Sequence, residues 1–166
     1  MDDRYISTLV QHSQERNVIT LKQFLEGVED EDFREMCESI CGGLRELDRN
    51  YDWVGIYWLK GETLVLGPWS GPEETEHKKI SITEGICGAA VREKQTIIVD
   101  DVQSDPRYLA CFPDTHSEIV VPIRAKGKII GEIDIDGKPK AAFNEEDRKF
   151  LEELAQHIAS EWPGKW

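Results

Sequence analysis

Ser117-Glu118-Ile119-Val120-Val121-Pro122-Ile123-Arg124-Ala125-Lys126-Gly127-Lys128-Ile129-Ile130-Gly131-Glu132-Ile133-Asp134-Ile135-Asp136 decides the fold. Two runs rich in Ile and Val, Ile119 to Arg124 and Lys128 to Ile135, flank Ala125-Lys126-Gly127, the signature of a β-hairpin. In a pleated strand Glu118 shares a face with Val120 and Pro122, opposite Ile119, Val121 and Ile123. Asp134 and Asp136 share one face of the second strand, with Ile133 and Ile135 on the other. Each strand thus has an aliphatic face to bury and a second face that carries acids, the pattern of an antiparallel sheet with two unlike sides.

The same texture continues toward the N-terminus. Asp52 to Leu59 and Thr63 to Leu66 flank Lys60-Gly61-Glu62, predicting a second hairpin, while Lys79 to Ile82 and Thr96 to Val99 read as further strands. Gly85 to Glu93 between them reads as a short helix. Between Glu31 and Asp48, residues Phe33, Met36, Cys37, Ile40, Cys41, Leu44 and Leu47 recur at helical spacing, with Gly42 and Gly43 as local weak points. At the other end Asn144 is placed to accept from the backbone N–H of residues 146 or 147, and Leu151, Leu154, Ala155, Ile158 and Trp162 form the stripe of a last helix. Residues 1 to about 26 are patchier and read as a short helix or two on the outside. The predicted class is α+β: a central antiparallel sheet with N- and C-terminal helices on one face and a loop-covered pocket on the other. The expected division is a helical extension over 1–27, one domain over 28–162 and a tail over 163–166.

Composition narrows the function. With 33 Asp and Glu against 20 Lys and Arg, the net charge of -13 repels phosphate backbones and anionic lipid surfaces, so neither nucleic acid nor membrane is expected as a partner. A 166-residue chain with 39% hydrophobic residues suffices for one core and is too apolar for a disordered one. Met1 to Arg16 lacks the basic-then-apolar pattern of a leader, and no run of apolar residues is long enough to span a bilayer, so a soluble, cytoplasmic protein is expected. Four cysteines, at 37, 41, 87 and 111, are too few and too uneven for a disulfide scaffold and are expected to be reduced, buried or reactive.

Asp100 to Ser117 is the longest stretch without periodicity, and loops of that length inside compact domains are usually lids or binding loops. It carries Cys111, with Leu109, Ala110 and Phe112 beside it as cover. Trp53 and Tyr57 alternate onto a common face of the first strand. If that face is the one bearing Glu118, Asp134 and Asp136, an aromatic wall, three carboxylates and a thiol converge on a cavity suited to a small cationic or ammonium-bearing ligand. Spacing alone leaves open the plainer alternative that the acids are solvated strand ends. Asp134-Ile135-Asp136-Gly137 is superficially like a calcium loop, but the residues that follow lack its oxygen spacing. Cys37 and Cys41 amount to half a zinc site on an apolar helix stripe, so no metal is expected.

Six blocks carry a resemblance: Trp53-Val54-Gly55-Ile56-Tyr57, Leu64-Val65-Leu66-Gly67-Pro68, Gly85-Ile86-Cys87-Gly88-Ala89-Ala90, Ala110-Cys111, Ser117-Glu118-Ile119-Val120-Val121-Pro122 and Gly131-Glu132-Ile133-Asp134-Ile135-Asp136. In order and approximate spacing they resemble the free methionine-(R)-sulfoxide reductases, single GAF-domain enzymes. The resemblance runs from about Asp52 to the last helix. It implies a GAF-like fold and an enzyme that reduces free methionine-(R)-sulfoxide. Cys111 would be the nucleophile and Cys87 the resolving thiol; Glu118, Asp134 and Asp136 would hold the substrate, and Trp53 and Tyr57 would line the wall. It implies no bound cofactor, electrons from a thioredoxin-like reductant with NADPH upstream, and a homodimer. One position departs from the family: many members carry a further cysteine ten residues before the cysteine of the Gly-Ile-Cys-Gly block, where this chain has His77. Three crowded acids disfavour the Cys111 thiolate, so His116, Arg107 or a backbone N–H is expected to offset them. The rival readings are a GAF small-ligand sensor and a thiol redox sensor in which Cys87 and Cys111 pair without substrate.

Overall fold

The computed structural model describes residues 19–29 and 32–165. The short helices expected over residues 1 to 26 fall mostly on 1–18, outside the described residues, as does the last residue of the tail. The described elements run α1 (Leu21–Leu25), α2 (Phe33–Leu47), β1 (Trp53–Lys60), β2 (Thr63–Ser70), β3 (Lys79–Ser81), α3 (Gly85–Glu93), β4 (Ile97–Val99), a 3-10 turn (Val102–Ser104), β5 (Ser117–Ala125), β6 (Lys128–Gly137) and α4 (Glu145–Glu161). The strands form one antiparallel sheet in the order β3-β2-β1-β6-β5-β4.

The two predicted hairpins are present. Ala125 pairs with Lys128, leaving Lys126 and Gly127 as the turn, and both take positive φ (51° and 76°), as a two-residue turn matched to strand twist requires. Alternation then sorts the sheet. Val54, Ile56 and Trp58 of β1, Ile119, Val121 and Ile123 of β5, and Ile133 and Ile135 of β6 all enter the helix-side core. There they meet Met36, Cys37, Ile40, Cys41 and Leu44 of α2 and Leu151, Leu154, Ala155 and Ile158 of α4. Each such side chain contributes about 1.5–3 kcal/mol through burial, which outweighs the helix weakness of Gly42 and Gly43.

Asn144 caps α4 by accepting from the N–H groups of Glu146 and Asp147, and Asp147 accepts from the Asn144 N–H in return. The Tyr51 hydroxyl donates to Asp147 at 2.6 Å, tying this cap to the chain entering β1. Trp162 stands at the C-cap and packs against the same core. Phe24 of α1 is also buried there, edge-on to Phe150 with ring centroids 5.6 Å apart.

On the opposite side lies a second, smaller cluster containing Trp53, Tyr57, Leu64, Ile80, Val99 and Val120. The predicted covering loop shares this side with α3, whose Ile86, Cys87, Ala89 and Ala90 face the sheet. Gly88 permits the close approach: a Cβ there would lie 2.6 Å from the Ile82 carbonyl oxygen. Among the described residues no helix is long and apolar enough to cross a membrane.

Candidate active site

Register assembles the site in rows across the α3 side of the sheet. Trp53 pairs with Asp136 and Asp136 with Glu118; Gly55 pairs with Asp134 and Asp134 with Val120; Tyr57 pairs with Glu132 and Glu132 with Pro122. Paired residues point to the same face, so the structure brings together Trp53, Tyr57, Glu118, Asp134 and Asp136. It adds Glu132, a fourth acid that the sequence reading passed over although it stands two residues before Asp134 and therefore on the same face. None is a solvated strand end: Glu118, Glu132, Asp134 and Asp136 are all buried.

The aromatic wall depends on missing side chains. The Trp53 indole lies flat, so that a Cβ on Gly55 would come within 2.2 Å of it and a Cβ on Gly71 likewise within 2.2 Å. Trp69 stacks on it at 6.3 Å between centroids, and Phe112, the residue after Cys111, packs against it at 5.8 Å. The Trp53 indole N–H donates to the Glu73 carbonyl and the Tyr57 hydroxyl to the His77 carbonyl, so the two polar tips are both engaged by the segment between β2 and β3.

Cys87 and Cys111 reach the acids from separate elements. Cys87 sits in the first turn of α3, and its thiol lies beside Glu132 and Asp134. Cys111 sits in the loop, its thiol directed to the Leu109 carbonyl at 3.6 Å. That loop is held on one side by Phe112 against Trp53 and on the other by the His77 ring, whose Nε2 meets the Ala110 carbonyl at 2.9 Å. A carbonyl only accepts, so Nε2 carries the hydrogen.

Burial pushes the Cys111 thiol up, and Asp136, Asp134 and Glu118 push it further; the Thr75 hydroxyl is the neighbour that works the other way. Arg107 is committed to Asp105 and Glu93, and the His116 Nδ1 to the Lys138 carbonyl, so the thiolate-stabilising contact falls instead to Thr75, a buried residue without a sequence signal. Cys37 and Cys41 lie on the far side of the sheet, where burial pushes Cys37 up to about 12 and Cys41 higher still.

Burial also holds the Glu118, Glu132 and Asp136 carboxyls well above the usual range, and Asp134 at about 6. The Glu118 carboxyl hydrogen-bonds Asp134, which keeps Asp134 the more acidic of the two. Both Glu132 oxygens, Asp134 Oδ1 and Asp136 Oδ2 receive no N–H or O–H donor. Buried acceptors without donors are expensive, so the cluster is built to receive hydrogen-bond donors and positive charge from a ligand.

Cys87, Glu118 and Asp134 each place a ligand atom within 4.8 Å of the others, a spacing that would also suit a metal ion. The adjoining faces of Trp53 and Tyr57 favour an organic ammonium. A groove of about 880 Å³ opens between α2 and β2, lined by Phe33, Trp58, Leu66 and Pro68. It lacks the acid cluster and the Cys87 and Cys111 thiols, so the candidate site is the one on the α3 side.

The GAF domain family profile matches residues 30–160. The free methionine-R-sulfoxide reductase of Saccharomyces cerevisiae is 40% identical over 118 residues, 69% of this chain and 64% of that protein. The chain spans just under two thirds of the length of the curated relatives it matches, 64% to 66% for the first four. Solved structures are matched more fully. The type II free methionine-R-sulfoxide reductase of Thermoplasma acidophilum is 43% identical, with a TM-score of 0.75 over 84% of this chain and 93% of that one. The free methionine-R-sulfoxide reductase of Neisseria meningitidis, solved with its substrate, is 34% identical, with a TM-score of 0.79 over 86% of this chain and 85% of that one. The chain belongs to the GAF-domain family and, within it, to the free methionine-R-sulfoxide reductases.

Proposed function

We propose that this chain reduces free L-methionine-(R)-sulfoxide to methionine, with Cys111 as nucleophile and Cys87 as resolving thiol. The observation that carries the reading is the meeting of Glu118, Asp134 and Asp136 with Cys87 and Cys111 beside Trp53 and Tyr57. The substrate is a zwitterion with a polar S=O group. Its ammonium offers the donors and the charge that the unpartnered carboxylate oxygens lack, with Asp134, the most acidic of the four, as principal partner. The same N–H groups are tied up in a peptide bond once methionine is part of a chain, which accounts for selectivity toward the free amino acid.

Glu118 is held protonated by burial and by Asp134, so it serves as the proton donor to the sulfoxide oxygen. As Glu118 protonates that oxygen, Cys111 sulfur attacks the substrate sulfur and the Cys111 thiol proton returns to the Glu118 carboxylate. The S–O bond of the substrate breaks, the oxygen ends on Cys111 as a sulfenic acid, and methionine leaves reduced by two electrons. Cys87 sulfur then attacks Cys111 sulfur, water departs and a disulfide remains. A thioredoxin-like dithiol, recharged from NADPH, reduces it by exchange, and this chain binds no cofactor. The reading includes a cytoplasmic homodimer, in keeping with reduced cysteines and with the frequency of two-fold pairs.

The test is NADPH oxidation with thioredoxin and its reductase, using separated R and S epimers of methionine sulfoxide, free and within a peptide. Turnover of the free R epimer alone, abolished in Cys111→Ser, is expected. Absence of turnover with either free epimer, with dithiothreitol also failing, would overturn the reading in favour of a ligand-sensing domain.

A further inference from the structure

The floor of the site is closed to solvent: Glu118, Asp134, Asp136, Trp53 and Tyr57 are each no more than 5% exposed. A free amino acid reaches them only when part of the cover moves. Beside α3, two stretches make up that cover. The first, residues 71–78, is anchored to the aromatic wall. Trp53 donates to the Glu73 carbonyl at 3.2 Å, the Tyr57 hydroxyl to the His77 carbonyl at 2.9 Å, and the His77 backbone N–H to the hydroxyl of buried Thr75 at 3.1 Å.

The second stretch carries Cys111, with Tyr108, Leu109 and Phe112 packed against the smaller apolar cluster. Cys111 is bracketed. The residue after it, Phe112, lies against the Trp53 ring at 5.8 Å, and the residue before it, Ala110, offers its carbonyl to His77 Nε2 at 2.9 Å. One neighbour of the thiol is thus held by a ring contact and the other by a directional hydrogen bond.

We propose that His77 is a positioning residue for Cys111, its ring N–H latching the thiol's loop over the site through the Ala110 carbonyl. The inference rests on the reading of Cys111 as nucleophile and deepens it. The His77 backbone is fixed through both its N–H and its carbonyl, so the ring projects from a stationary base. Its grip sets the peptide plane that enters Cys111, and the alignment of a nucleophile with its target contributes directly to rate. The bond also stands at the rim, His77 half-buried and Ala110 exposed, where water replaces a broken partner. A cover that must open once per turnover needs a tie of that kind, directional when shut and cheap to break.

The experiment separates the donor from the bulk of the ring. Full-length protein is compared with His77→Phe, which keeps a ring and loses the donor, and with His77→Gln, which loses the ring and keeps an N–H on a side chain of similar reach. The first readout is the rate at which iodoacetamide alkylates Cys111 in the reduced protein, followed by peptide mass mapping. Burial and the neighbouring acids push this thiol up while the loop is shut, so alkylation reports the open loop. The second is kcat and KM for free methionine-(R)-sulfoxide with dithiothreitol as reductant.

In His77→Phe, alkylation is expected to be about five-fold faster and kcat on the order of ten-fold lower. KM should stay within about two-fold, because Asp134, the ammonium partner, stands on the sheet and not on the loop. His77→Gln should lie within about two-fold of wild type in both readouts, which also shows that the ring is not needed for folding. Alkylation of His77→Phe at the wild-type rate, or equally fast alkylation of both variants, overturns the latch. Faster alkylation with kcat unchanged reduces His77 to a structural tie and overturns its positioning role. The alkylation arm needs no catalysis: acceleration in His77→Phe alone, in a protein whose wild type turns over neither free epimer, upholds the latch and removes the reading of Cys111 as nucleophile.

Discussion

The Glu118 carboxyl hydrogen-bonds Asp134 across the β5–β6 ladder, diagonal to its direct partner Asp136. Two acids that share a proton divide the labour: Asp134 is held at about 6 and Glu118 well above the usual range. In the proposed cycle the first is the anion for the ammonium and the second the acid for the sulfoxide oxygen.

Glu118→Gln should therefore lower kcat by about 10²–10⁴-fold with KM little changed. Asp134→Asn should raise KM at least about 30-fold, the equivalent of losing a buried charge pair worth about 2 kcal/mol or more. Steady-state kinetics on the free R epimer checks both, and the reverse pattern would exchange the two roles.

Stability should fall as pH rises from mild acid to neutral. Asp134 ionises near 3.8 when unfolded and at about 6 when folded, so the folded state holds its proton more tightly and loses ground between those values. Glu118, Glu132 and Asp136, also raised, extend the loss to higher pH. Asp101, Asp105 and Asp114 are lowered by Lys140, Arg107 and Lys138, so what they contribute is present above their unfolded values and lost on stronger acidification. Urea midpoints across the range should peak at about pH 4–5, near the unfolded carboxyl values. A midpoint that climbs from pH 5 to 8 would contradict the buried acids as described.

Gly55→Ala should damage the pocket more than its one methyl suggests. The new Cβ would stand 2.2 Å from the Trp53 ring, which Gly71 confines from another direction. The indole must leave its place against Trp69 and Phe112, at a cost of about 1–3 kcal/mol in stability, with KM rising as the wall is displaced. Tryptophan fluorescence and thermal melts would register the shift; an unchanged spectrum would place Trp53 elsewhere.

Cys37 and Cys41 should be chemically silent. Burial raises all three thiols, but Cys37 and Cys41 are fully buried whereas Cys111 is partly exposed, so iodoacetamide on the native protein is expected to alkylate Cys111 and leave both helix cysteines intact. Cys37→Ala and Cys41→Ala should keep full turnover while each loses about 1 kcal/mol of stability from the cavity left behind. Peptide mass mapping and urea melts provide the check.

Legibility in the sequence followed the range of the interaction. Alternation in β5 and β6, the Lys126-Gly127 turn and the Asn144 cap are written within a few neighbouring residues and read correctly. Glu132 obeys the same period as Asp134 and was missed because the neighbour that helps to cover it, Cys87, comes from a helix 45 positions earlier, so nothing local marks it as more than a strand acid. Thr75 and His77 reach Cys111 and Ala110 across 36 and 33 positions, a contact set by the way the segment after β2 folds over the sheet. The expectation that His116 or Arg107 would face the thiol failed because each had a nearer partner, Lys138 for one and Asp105 with Glu93 for the other. The order in which the four acids release their protons depends on burial, which spacing does not encode.

In β6, isoleucines 133 and 135 feed the helix-side core while acids 132, 134 and 136 feed the site. A slip of one residue against β1 or β5 would drive three carboxyls into the greasy layer beneath α2 and α4 and leave isoleucines where the ligand binds. Such a misfolded chain is unstable and inert at once. Quality control on folding is thereby quality control on chemistry: any copy that passes the first has its charges on the correct side, and no separate device is needed to weed out well-folded but dead protein.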